Sequence, residues 1–192
     1  WTDPEQREIY YRVMDTCVGL LKKYGLSAVP CLNVKQFNSR ELVWNEEKGR
    51  KEWTWPGEHE RELLADPDSN SRRIMNEYLV DVITRYKDDP VILMWEISNE
   101  FTNNVDVMPD TKVFNGERKG TLGDLAQFYS DVTMTIKELD PLRMVNNGGS
   151  RLRPTAWNQY VNDSWKLDTW REQLLAYKLV YGIPPLDIID IH

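Results

Sequence analysis

The sequence predicts an α/β fold in which parallel strands are buried beneath helices, on three observations. First, a helix, a short link and an apolar strand recur four times along 192 residues. Second, the strand segments are continuous apolar runs rather than alternations, the pattern of strands buried on both faces. Third, the links are unequal. Helix-to-strand connections take a few residues, whereas the strand-to-helix connections at 35–67, 101–120 and 148–168 are long. Long loops in compact domains are usually functional, and all three leave the carboxyl ends of strands. That asymmetry is the layout of a (β/α)₈ barrel, whose active face is built from such loops. A doubly wound sheet also binds ligands at its strand ends, but no G-x-G-x-x-G or Walker A pattern follows any strand here. "NNGGS" at 146–150 is the nearest approach, and no helix starts directly after it. The expectation is therefore a partial TIM barrel, a single domain over 1–192, with four parallel strands in sequence order and their helices outside.

Each unit carries its own signals. Thr2 and Glu5 have capping-box spacing, Pro4 suits a first turn and Gly25 an end, so the first helix lies between them. Its apolar stripe is Ile9, Tyr10, Val13, Met14, Cys17, Leu20 and Leu21, and the strand "LSAVPCLNV" follows. The second helix opens near Ser69–Ser71 and repeats Ile74, Met75, Tyr78, Leu79, Val82, Ile83 and Tyr86 at helical spacing. Pro90 stops it, and "VILMWEI" is the strand. The third opens at "TLGD" with Leu125, Phe128, Tyr129, Val132, Ile136 and Leu139 on one face, ahead of the strand "RMVNN". The fourth opens at "TWRE", a second capping box, and ends at Gly182 and Pro184 before the strand "LDIIDIH". Trp165 and Trp170 border this helix and are expected in the core. A complete barrel needs about 250 residues. Four units supply half of one, and the chain reads as part of a longer protein whose outer strands are missing.

Composition narrows the partners. A net charge of −7, with no basic stripe, argues against nucleic acid. No apolar run approaches membrane-spanning length. Two cysteines, Cys17 and Cys31, make no disulfide framework and read as reduced core residues. Two histidines and no H-x-H leave little for a metal-dependent barrel enzyme, and no cofactor is expected.

The chemistry concentrates in "DPVILMWEISNE", residues 89–100. By strand alternation Glu96, Ser98 and Glu100 share a face, with Glu96 about 13 Å below Glu100. Glycosidase carboxylate pairs stand about 5–9.5 Å apart, so Glu96 is expected to be an interior carboxylate held in hydrogen bonds. Glu100 sits at the carboxyl tip. A carboxyl group partly withdrawn from water favours the protonated form that a general acid needs; a loop-anchoring or helix-capping carboxylate is the alternative. Asp190, below the tip of the last strand, is a weaker candidate for a nucleophilic carboxylate within the chain, and Asp187 reads as a cap or a solvent-facing residue.

This stretch resembles the fourth-strand motif of clan A glycoside hydrolases, particularly family 5-like cellulases and β-mannanases. "YGLSAVPCLN", "DPLRMVNNGGS" and "LDIIDIH" resemble the third, fifth and sixth strands, so the likeness covers most of the chain. It implies that Glu100 is the general acid/base, that Asn99 holds the sugar 2-hydroxyl, and that His192 matches the histidine of the sixth strand. Asn33 stands where the family often has histidine. The nucleophilic glutamate belongs to a seventh strand that this chain does not contain. In the longest loop Trp53 and Trp55 could stack on sugar rings, or pin the loop as a local cluster; Trp44 reads as packing and His59 as a surface residue. The implied activity is retaining hydrolysis of a β-linked glycan of glucan or mannan type, with an oligo- or polysaccharide as partner. The alternative is a glycan-binding relative that kept the barrel and lost the chemistry.

Overall fold

The computed structural model describes residues 1–33, 41–54, 58–104, 120–183 and 185–190; for 41–45, 51–54, 58–61 and 103–104 it describes the backbone alone.

Local sequence sets the helices. Helix α1 (Pro4–Tyr24) ends at Gly25, whose φ of 63° no β-carbon would favour. Its N-cap is Asp3, not the expected Thr2: the Asp3 carboxylate accepts from the N–H groups of Glu5 and Gln6. Helix α3 (Asn70–Tyr86) starts at Ser69, whose hydroxyl accepts from Arg72 N–H. Helices α4 (Leu122–Leu139) and α6 (Trp170–Tyr181) both begin with complete capping boxes, Thr121 with Asp124 and Thr169 with Glu172.

The long loops carry structure of their own. Strands β1 (Glu41–Asn45) and β2 (Arg50–Thr54) form an antiparallel hairpin, and helix α2 (Glu58–Ala65) follows it. Helix α5 (Ala156–Asn162) stands within the third long loop. Both were expected as irregular chain.

Strands β3 (Met94–Glu96) and β4 (Met144–Asn146) pair in parallel, Met94 opposite Met144 and Glu96 opposite Asn146. Two further segments flank them. Ala28 and Cys31 bridge in parallel to Ile92 and Glu96, and Ile188 bridges to Asn146. Four extended segments therefore stand side by side in sequence order, each after a helix. Of the four expected strands, only the middle two are bonded regularly enough to be strands. The first and last touch their neighbours at isolated points.

The core lies between this sheet and α3, α4 and α6. Trp95, Ile97 and Val145 turn outward from the sheet into it and are fully buried. Helix α4 contributes Leu125, Phe128, Tyr129, Val132 and Ile136, all buried. Each large apolar side chain so buried stabilises by about 1.5–3 kcal/mol. The expected stripe of α1 behaves differently. Tyr10, Met14 and Leu21 pack against the core, while Ile9, Val13, Cys17 and Leu20 face solvent. Trp165 and Trp170 also face outward, at 58% and 71% exposure, rather than into the core. In both places the described neighbours cover one side of the helix only. Trp1 ties α1 to α3: its indole donates to Asp81 and its ring meets Tyr10 and Tyr78 edge-on.

Candidate active site at the carboxyl ends of the strands

The inner face of the sheet is polar. Asn146 sits at its centre, and its side-chain amide donates to Glu96 Oε2 and Asp190 Oδ2, each at 3.3 Å. Its Oδ1 accepts the N–H of Gly148 at 3.1 Å. Two carboxylates from different segments thus share one amide, which spreads donors across charges that would otherwise repel. Glu96 is the hydrogen-bonded interior carboxylate that its place in the strand predicted. It faces Cys31, whose thiol is pushed up to about 12 by burial and then by Glu96, so Cys31 is a neutral thiol. Asn147 completes the join to the last segment, because its side chain pairs with both the N–H and the carbonyl of Asp190. Asp190 is therefore built into the sheet. Asp187 accepts the N–H of Val145 and pairs with Lys137, so it is neither a cap nor merely solvent-facing.

Past Glu96 the alternation of faces stops. Ser98 turns to α4, where its hydroxyl lies 3.3 Å from that of Tyr129, and it donates to Asn147 O. Glu100 has a φ of 57°. For a residue with a β-carbon this left-handed conformation costs about 1–3 kcal/mol and persists only where neighbours over-determine it; such residues cluster at active sites. The shared face expected for Glu96, Ser98 and Glu100, and the strand-rise spacing drawn from it, end at Glu96, because regular extended geometry ends there.

Asn33, Asn99 and Glu100 come together at this end. Asn99 N–H donates to Asn33 O at 3.0 Å, and Glu100 N–H donates to Gly148 O at 2.8 Å. The Asn33 side chain donates from Nδ2 to Ile97 O at 2.9 Å, so it laces the first extended segment to the tip of β3. Glu100 is partly exposed. Of the other expected contacts, Trp53 lies in β2 opposite Leu42, with its backbone alone described. Trp55 and His192 lie outside the described residues, as do the side chains of Trp44 and His59. Sequence reasoning missed Gly148, which packs against this tip; its only signal was the "NNGGS" run.

No family model and no curated protein matches the sequence. The solved structures do give matches. An endo-1,4-beta-mannanase from Rhizomucor miehei aligns over 93% of this chain and 47% of its own, with a TM-score of 0.61 at 15% identity. A family 5 mannosidase from the same organism, solved in complex with mannosyl-fructose, aligns over 93% of this chain and 39% of its own, with a TM-score of 0.50 at 15% identity. The chain has a family 5-like glycoside hydrolase fold. It spans about half the length of that mannanase. In such a barrel the carboxyl ends of the strands form the active face, and that is the end where Asn33, Asn99 and Glu100 meet.

Proposed function

We propose that this chain is part of a retaining glycoside hydrolase acting on a β-linked glycan of glucan or mannan type, with Glu100 as its general acid/base. The supporting observation is the state of Glu100. It is a partly exposed carboxyl at the carboxyl tip of β3, held with a left-handed backbone immediately after Asn99, on a family 5-like fold. Glu100 protonates the departing glycosidic oxygen and then takes a proton from the attacking water. Asn99 holds the 2-hydroxyl. The nucleophilic glutamate is supplied from chain beyond this sequence. Asn33, whose Nδ2 already serves Ile97 O, offers its Oδ1 to the sugar, and Trp53, Trp55 and His192 are assigned to substrate binding from their place in the sequence alone.

The test is Glu100→Gln in the full natural polypeptide. Turnover of an oligosaccharide, whose leaving group needs an acid, is expected to fall about 10²–10⁴-fold. The glycosylation step on an activated aryl glycoside is expected to survive. The second step then slows, and azide restores it, because a small anion needs no general base. Equal losses on both substrates without azide rescue, in a folded variant, reject the assignment. Glycan binding with no hydrolysis by the unaltered protein instead identifies a binding relative.

A further inference from the structure

We propose that the 146–150 segment, Asn-Asn-Gly-Gly-Ser, is a clamp that fixes the backbone of Glu100, with Gly148 as its positioning residue. The inference rests on the role proposed for Glu100 and adds a second requirement to it.

The sheet pairing of β3 and β4 ends at Glu96 and Asn146, yet the two chains stay joined beyond it. Ile97 N–H donates to Asn146 O at 2.8 Å. Ser98 Oγ donates to Asn147 O at 3.1 Å. Glu100 N–H donates to Gly148 O at 2.8 Å. Thr102 accepts the N–H of Ser150 at 3.0 Å, and their hydroxyls lie 2.7 Å apart. Tyr181, from α6, donates to Ser150 O at 3.1 Å and anchors the far end. Contacts on both sides of Glu100 thus hold a conformation that an isolated glutamate would leave.

Only glycine fits at 148. Its φ is +60°, and a β-carbon there would stand 1.7 Å from Ser98 O and 2.7 and 2.9 Å from Glu96 Cγ and Cδ. The obstacle is backbone, so the 96–98 chain would have to move, and Asn99 and Glu100 follow it directly. An acid must meet the glycosidic oxygen within hydrogen-bond reach, and misplacement by about 1 Å can cost about 10²-fold.

The experiment compares Gly148→Ala and Thr102→Val with Glu100→Gln. Hydrogen exchange and kinetics are both read in the full natural polypeptide. In Gly148→Ala the Glu100 amide is expected to exchange at least about 10-fold faster, while Val132 in the core keeps its rate. On an unactivated oligosaccharide kcat is expected to fall about 10–10²-fold, with KM changed less than about 3-fold and an activated aryl glycoside affected less than about 3-fold. Thr102→Val shifts the same readouts in the same direction by less. Unchanged exchange at Glu100, or equal losses on both substrates, overturns the clamp. Should Gly148→Ala fail to fold, Thr102→Val decides on the same criteria. If Glu100→Gln shows no leaving-group dependence, the role of Glu100 fails, and the exchange data separately decide whether 146–150 holds its backbone.

Discussion

Trp95 and Asp140 are joined across the core: the indole N–H donates to Asp140 Oδ2 at 2.8 Å, and both residues are buried. Arg143 Nη1 reaches the same oxygen at 2.9 Å, while its Nε and Nη2 hold the carbonyls of Ile92 and Asp89. One carboxylate thereby fastens the start of β3 to the turn before β4. Asp140→Ala leaves the indole N–H and the guanidinium without it, and unfolding in urea is expected to show a loss of about 3 kcal/mol. Asp140→Asn keeps an acceptor and should lose less. A cost within about 0.5 kcal/mol for the alanine variant would show that this join is dispensable.

Arg72 holds helix α2 in place. The residue is buried, donates to the carbonyls of Leu63 and Leu64 at the end of α2, pairs with Asp131 at 3.0 Å and lies 4.9 Å from the ring centre of Phe128. Methionine fills similar space without donors. Arg72→Met is expected to destabilise by about 2–4 kcal/mol and to speed amide exchange across 62–66 before α4 is affected. Arg72→Lys, with a point charge in place of a planar fork, should recover only part of this. Full recovery by lysine would mean that charge alone suffices.

Asp187 gives the fold an acid-sensitive join. Burial raises its pKa, but the hydrogen bonds from Lys137 and from Val145 N–H, with the Lys137 charge, outweigh this and hold it below the ordinary range. A carboxylate lowered on folding stabilises above its unfolded value of about 3.9 and loses that contribution as pH falls through its folded value. Asp187→Asn is therefore expected to lower the urea midpoint at pH 7, with the gap from the unaltered chain closing as pH falls below about 4. A gap that is constant or widens on acidification contradicts this sign.

The outer faces of the first and last helices predict association. Val13 and Tyr24 on the α1 side, and Trp165, Leu167 and Trp170 beside α6, are each more than half exposed. Apolar surface gathered in this way tends to find a partner. Expressed by itself, the 192-residue chain should self-associate in light scattering at micromolar concentration, and Val13→Lys with Trp170→Lys should reduce it. A monodisperse, unmodified chain would show that these faces are tolerated in water.

What the sequence determined by itself was local. Thr121 with Asp124, Thr169 with Glu172, Ser69 and Gly25 mark helix ends because a cap acts within three or four residues. The buried face of α4 follows from period alone, and the order of the four extended segments from alternation with helices. The Asn99–Glu100 pair was visible as a motif at a strand tip. Tertiary structure decided the rest. The "LSAVPCLNV" and "LDIIDIH" runs are strand-like in composition, but a strand exists only through its partners, and here theirs are isolated bridges. The α1 stripe has helical spacing, yet neighbours choose which side of it is covered, and Val13 is left in solvent. The left-handed backbone of Glu100 and the need for glycine at 148 arise from a hydrogen bond and a close approach between chains about fifty residues apart. No local propensity encodes such a contact, because it appears only when folding brings the two strand tips together.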